Sequence, residues 1–117
     1  MKIKEFSIPL TTAQCEDLKK ENGKFCYKDT ELSYITLCGV ITKIITRSCF
    51  LTDFYSSLFI IKKDTQVFEG GSYKLIVKPF IKNDKIFFYC IEASSISFEG
   101  ELFHYVEIKM MNKKSNS

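Results

Sequence analysis

The run of residues 34–46, YITLCGVITKIIT, constrains the fold of this chain more than any other segment. It is rich in β-branched residues, alternates with period two near its start, and is long for a single strand. Gly39 interrupts it in the middle. A glycine there weakens a flat strand but permits a bulge and a sharp bend, which a long strand needs when it serves two parts of a barrel.

Shorter strand-like runs follow. Residues 49–55 and 57–63 flank Ser56, with Asp53 close to the turn, and read as an antiparallel pair. Gly70 and Gly71 permit a tight turn in the break at 65–71. Residues 73–81 form a fourth strand, and Pro79 within it points to an edge or a bulge, with a bend near Phe80. Asn83-Asp84 makes a hairpin turn into a fifth strand over 85–93. Five strands with short loops and a bent first member predict an all-β fold, the five-stranded Greek-key OB-fold barrel. An open sheet packed on helices is the competitor, but only the chain ends look helical.

The ends divide as follows. Residues 1–31 are a lead-in packing on the barrel, which itself occupies 32–98. In the lead-in, Ile8-Pro9-Leu10 is extended, and Thr11 or Thr12 caps a short helical turn over 13–20 that Asn22-Gly23 breaks. Residues 99–112 form a C-terminal helix, and 113–117 a disordered tail. Leu102, Phe103, Val106 and Met110 fall on one stripe of that helix, with Tyr105 and Ile108 on a flank. Glu99 and Glu101 at its start and Lys109, Lys113 and Lys114 at its end suit the helix dipole. This is more apolar surface than one barrel end requires, so the stripe reads as a subunit interface.

Several function classes are excluded. No run of about 18 apolar residues is present to span a membrane, and MKIKEFSIPL lacks the apolar core of a secretory signal. The five cysteines are never spaced C-x-x-C, and with His104 as the sole histidine no zinc set can be assembled. They read as reduced thiols acting as small apolar residues in a cytosolic or nuclear protein. No P-loop, G-x-S-x-G or dinucleotide fingerprint occurs, so neither an enzyme nor a cofactor is expected.

Charge sharpens the reading. The net +3 is mild, but residues 1–31 and 99–117 each balance to zero, so the whole excess lies in 32–98. Lys43, Arg47, Lys62, Lys63, Lys74, Lys78, Lys82 and Lys85 stand there among most of the chain's aromatic residues. Cations that follow phosphates, interleaved with rings on which bases stack, suit single-stranded nucleic acid. The plainer reading of the same lysines is the solvated face of half-buried strands.

The order of features resembles the central OB domain of the middle, 32-kDa-type subunit of replication protein A. Ser7-Ile8-Pro9-Leu10-Thr11-Thr12-Ala13-Gln14 is similar to that family's proline–x–threonine lead-in, and residues 31–41, ELSYITLCGVI, to its first strand. Leu51-Thr52-Asp53-Phe54 falls at its aspartate-containing turn. Residues 71–77, GSYKLIV, resemble its G-x-Y strand, although Lys78 replaces a usual glycine. Residues 98–107, FEGELFHYVE, resemble its helix start, histidine included. The resemblance implies a nuclear, non-catalytic subunit of a heterotrimer that binds single-stranded DNA. Its partners would be large and small OB-fold subunits, bundled through Leu102, Phe103, Val106 and Met110. Phe80 would stack on a base, with Lys43, Arg47, Lys62, Lys63, Lys78, Lys82 and Lys85 contributing to a phosphate-following surface. A second family aromatic, implied near Lys63 or Asp64, is missing. A telomeric subunit of the Stn1 type, or a telomerase-associated one acting mainly as a structural adaptor, would read nearly the same.

Overall fold

A computed structural model describes residues 7–28 and 30–115. In chain order its elements are β1 (Ser7–Pro9), α1 (Thr12–Cys15), β2 (Lys19–Glu21), β3 (Lys24–Tyr27), β4 (Thr30–Leu32) and β5 (Tyr34–Ile45). They continue with β6 (Ser48–Thr52), β7 (Ser57–Ile61), β8 (Ser72–Lys82), β9 (Lys85–Ser95) and α2 (Phe98–Ser115).

The β-branched run is a single strand that changes partner midway. β5 pairs antiparallel with β8 from Ile35↔Val77 to Val40↔Ser72. It then pairs antiparallel with β6 from Val40↔Thr52 to Ile45↔Ser48, with a bulge between Ile41 and Lys43. Gly39 sits at the handover. A Cβ on it would lie 2.5 Å from the Thr52 carbonyl oxygen and 3.3 Å from Leu51 Cγ, so only glycine lets the two strands approach there. β6 pairs with β7, β7 with β9 in parallel, and β9 with β8, which returns to β5. The five strands therefore close in the order first, second, third, fifth, fourth, first, as an OB-fold barrel followed by a terminal helix. The closure between β7 and β9 rests on one registered pair, Ile61↔Tyr89.

Strand alternation fills the interior. Ile35, Leu37 and Ile41 of β5, Leu51 of β6, Ile60 of β7, and Leu75 and Val77 of β8 are fully buried. Val67 reaches the same core from the β7–β8 connection. That connection is held against β5: Gly70 N–H donates to the Ile41 carbonyl at 2.7 Å, and Ile44 N–H to Glu69 Oε1 at 2.7 Å.

The lead-in differs from the sequence expectation. Thr11 caps α1, with Gln14 completing the capping box, but the helix ends at Cys15 rather than running to residue 20. Lys19–Glu21 is instead a strand, paired with β3 across Asn22-Gly23, whose φ values of 53° and 80° belong to a tight hairpin turn. β2, β3 and β4 form their own antiparallel sheet. β1 runs parallel to the start of β5, while residues 1–6 lie outside the described residues. The irregularity expected near Phe80 falls earlier, between Ile76 and Val77. β8 parts from β5 after Val77, so among the described residues Pro79 has β9 as its one ladder neighbour. At the C-terminus the helix continues to Ser115, into the segment expected as a disordered tail; residues 116–117 lie outside the described residues.

Ser97 caps α2, accepting from Gly100 N–H at 3.2 Å. The helix docks through Glu101, His104 and Ile108, all buried. His104 Nε2 lies 3.0 Å from the Leu10 carbonyl oxygen, which can only accept, so Nε2 carries the proton. Burial holds His104 below its ordinary pKa of 6.5, against weaker opposing pulls from the Leu10 carbonyl and Glu107. On acidification the unfolded chain takes up the proton first. Stability from this group is therefore complete above pH 6.5 and is lost as pH falls from 6.5 towards the lower folded value. Because His104 is the only histidine, melting temperature should be flat between about pH 7 and 8 and decline as pH falls below 6.5, before most carboxylates titrate. His104→Gln should remove that decline; a wild-type melting temperature constant over the same window would refute the assignment.

Candidate nucleic-acid interface and assembly helix

The β8–β9 hairpin turns on Asn83 and Asp84, both at positive φ, which brings Lys82 opposite Lys85. Phe80 then lies opposite Phe87 and Lys78 opposite Tyr89. Directly opposed residues share a face. Val77, Pro79, Phe88 and Cys90 are buried on the inner one, which leaves Lys78, Phe80, Lys82, Lys85, Phe87 and Tyr89 on the outer. The Phe80 and Phe87 rings stack at 5.8 Å between centroids and 27° between planes. Lys63 Nζ stands 4.8 Å from the Tyr89 centroid. β9 thus supplies a ring beside Lys63, where the resemblance implies an aromatic that the third strand lacks.

A second aromatic pair occupies the outer face of β6 and β7. Lys43 is opposite Phe50, and Phe50 opposite Phe59, with the two rings edge to face at 5.4 Å. Through the Ile61↔Tyr89 pair this face joins that of β8 and β9. The expected cations fall into groups. The amides of Lys62 and Lys63 both donate to the Arg47 carbonyl at 2.9 Å, which draws Arg47, Lys62 and Lys63 together. Arg47 also meets Asp64 at 3.8 Å, both side chains well exposed, a pairing worth little in water. Lys78, Lys82 and Lys85 form the second group. Lys43 stands with Phe50, where β5 pairs with β6. Phe50, Phe59, Phe87 and Tyr89 were not singled out from the sequence. Their alternation with Cys49, Leu51, Phe88 and Cys90 is the signal that separates an outer ring from a core one.

On α2 the apolar stripe faces outward. Leu102, Phe103, Val106 and Met110 are exposed, Phe103 at 64%. Ile108, assigned to a flank from spacing, is buried against the barrel. Tyr105 links the stripe to the β6–β7 turn, its ring 5.3 Å from Phe54 and 6.0 Å from Tyr55. Phe54 is 70% exposed. The turn beneath these rings is fixed by Asp53, whose carboxylate accepts from Thr12 N–H (2.8 Å), Thr12 Oγ1 (2.7 Å), Tyr55 N–H (2.9 Å) and Ser56 N–H (3.1 Å). The threonine of the lead-in and the aspartate of the turn are thus partners in one network, far apart in the chain.

Four of the five thiols, Cys15, Cys38, Cys49 and Cys90, are buried. Burial pushes Cys38 up to about 12 and Cys90 up to about 11, and raises Cys15 and Cys49 as well. Thiols so shifted are poor nucleophiles at neutral pH. Among the described residues no cluster of His, Cys, Asp and Glu is placed to hold a metal ion.

The fold is similar to solved structures of three complexes. A chain of a replication protein A heterotrimer bound to single-stranded DNA superposes with a TM-score of 0.77 at 14% identity, over 86% of this chain and 90% of that one. A chain of yeast replication protein A bound to single-stranded DNA gives 0.73 at 21% identity, over 91% and 89%. A chain of the S. pombe Stn1–Ten1 complex gives 0.67 at 10% identity, over 92% and 90%. At these identities the likeness is one of fold. No curated protein matches the sequence. Residues 35–111, which run from the first barrel strand into α2, match the family model described as ECU03_1140, and the chain belongs to that family.

Proposed function

We propose that this chain is a non-catalytic OB-fold subunit of a nuclear, replication-protein-A-like complex that binds single-stranded DNA. It assembles through α2 with large and small OB-fold subunits and adds weak DNA contacts of its own. The observation that carries this reading is the orientation of α2. A helix serving only its own barrel would bury its apolar residues, yet here Glu101 and His104 face inward while Leu102, Phe103, Val106 and Met110 face solvent. The fold likeness to subunits of assemblies bound to single-stranded DNA supports it. Tagged purification from the native cell, followed by mass spectrometry, tests it. Recovery of a large subunit with several OB domains is the expected result; a chain recovered alone would overturn the proposal.

For DNA, the proposed contact surface is the outer face of β8 and β9 with the Arg47–Lys62–Lys63 group. Phe80 stacks on a base, Phe87 supports its ring, and the lysines follow the phosphates. Phe80→Ala should weaken binding to a labelled oligothymidylate by about 5- to 150-fold, the range for losing one base–ring stack. A Lys78→Glu, Lys85→Glu pair should also flatten the dependence of affinity on salt, since each neutralised phosphate contributes about −0.7 to the logarithmic slope. Anisotropy titrations at several salt concentrations measure both, and an unchanged slope would remove these lysines from the DNA path.

A second reading is a telomere- or telomerase-specific paralogue acting mainly as a structural adaptor. The likeness to the Stn1–Ten1 complex favours it. It predicts the same assembly with little DNA binding by this chain.

A further inference from the structure

Beyond Val77, β8 runs on without β5, and the edge left unpaired among the described residues borders a groove of 540 Å³ between the barrel and the N-terminal sheet. Phe25 and Tyr34 give it apolar surface above buried Leu32 and Pro79, and Lys24, Glu31 and Lys78 stand at its sides. One step past the Ile35↔Val77 pair, Tyr34 comes level with Lys78. Lys78 is therefore flanked by Tyr89 on one side and Tyr34 on the other, and belongs both to the β8–β9 face and to the groove.

The charge around the groove is hidden in the sequence totals. Residues 1–31 balance to zero, yet the β2–β3 hairpin, residues 19–28, holds Lys19, Lys20, Lys24 and Lys28 against Glu21 alone, Lys24 lining this groove and Lys19 and Lys28 a neighbouring hollow. Lys20 lies over the Phe25 ring at 5.5 Å. Lys24 reaches Glu31 at 3.4 Å, but both side chains are more than half exposed, so the ammonium stays open to a stronger anion. Rings below and cations at the rim complement a nucleotide, whose base is flat and apolar on its faces and whose phosphate is anionic.

We propose that this groove is a second nucleotide subsite, taking one base of single-stranded nucleic acid against Tyr34 and Phe25 with its phosphates near Lys24 and Lys78. The assignment rests on the nucleic-acid reading of the β8–β9 face and extends the strand's path across β8 at Lys78. An added peptide strand fits the groove less well. Lys82 and Lys85 flank a two-residue turn and exchange hydrogen bonds, so Phe80 and Lys78 also bond towards β9. Pro79 and Ile81 are left facing the free edge, and a proline there offers no N–H to an incoming strand.

The experiment is a length series of labelled oligothymidylates, from about 4 to about 16 nucleotides, the span of OB-fold site sizes. It is titrated against the full chain at low salt. Tyr34→Ala should weaken the longer oligomers at least 5-fold and leave the shortest unchanged, and Lys24→Glu, a surface change that leaves the core intact, should do the same. Photocrosslinking of an iodouracil-substituted oligomer should mark Tyr34 or Phe25. If both variants match wild type at every length while Phe80→Ala weakens them all, the subsite is wrong and the β8–β9 reading stands. If wild type binds no oligomer, both fall. Unchanged DNA binding by Tyr34→Ala with reduced recovery of a partner subunit would assign the groove to a peptide and overturn the proposal.

Discussion

A Gly39→Ala variant should lose a large part of the stability of the barrel. The added methyl would sit 2.5 Å from the Thr52 carbonyl oxygen and 3.3 Å from Leu51 Cγ. Relief requires β5 and β6 to separate, which breaks the ladder at Val40↔Thr52 and Ile41↔Leu51, where β5 is being handed from β8 to β6. Backbone clashes of this kind cost about 3–5 kcal/mol, against about 5–15 kcal/mol for a whole domain. The melting temperature, followed by circular dichroism, should drop by roughly 10–25 °C. Gly23→Ala is the control. Gly23 has φ +80° but open space around its Cβ position, so its cost is backbone strain alone, about 1 kcal/mol. Equal, small effects from the two substitutions would show that β5 and β6 are not held as closely as described.

The largest functional effect is expected from Phe103→Glu combined with Val106→Glu. Both side chains are exposed on α2, so the isolated chain should fold as well as wild type, with a melting temperature within about 2 °C. In the assembled complex the same positions would be buried. Losing two apolar anchors costs about 2 kcal/mol or more each, and two unpaired carboxylates are then left in a desolvated interface. Partner affinity should fall at least 1,000-fold, which co-expression and size-exclusion chromatography would register as loss of the complex. Ile108→Glu separates assembly from folding, because it strikes the docked face and should lower the melting temperature directly. Retention of the complex by the double variant would remove α2 from the assembly.

These effects differ in how far the sequence announces them. The β-branched run and Gly39 are local signals, and β5 bends and changes partner where the glycine stands. Asn83-Asp84 is likewise a local turn, and it sets the β8–β9 register by itself. The outward stripe of α2 follows from helical spacing, though spacing alone leaves Ile108 on a flank. It does not show which side the barrel covers. The first hairpin illustrates the opposite case. Lys19, Lys20 and Glu21 have no strand preference, and they are extended because Asn22-Gly23 folds them against Lys24, Phe25 and Cys26. The same dipeptide ends a helix as readily as it turns a hairpin, so it does not decide between them alone. Phe87 and Tyr89 became visible as surface rings through pairing with Phe80 and Lys78, a relation across two strands. The Thr12–Asp53 network is more distant still, since each residue is ordinary in its own neighbourhood.

The one-pair closure at Ile61↔Tyr89 has a dynamic consequence. Most of the barrel is laced by extended ladders, so sub-global opening will start where the lacing is thinnest, with a free energy well below that of complete unfolding. Amides near that seam should exchange with solvent faster than those of the β5–β8 ladder. A polynucleotide lying from the Phe50–Phe59 pair to the Phe80–Phe87 pair would cross the seam and tie its two sides together. The weakest join in the barrel would then be the one most strengthened by its ligand.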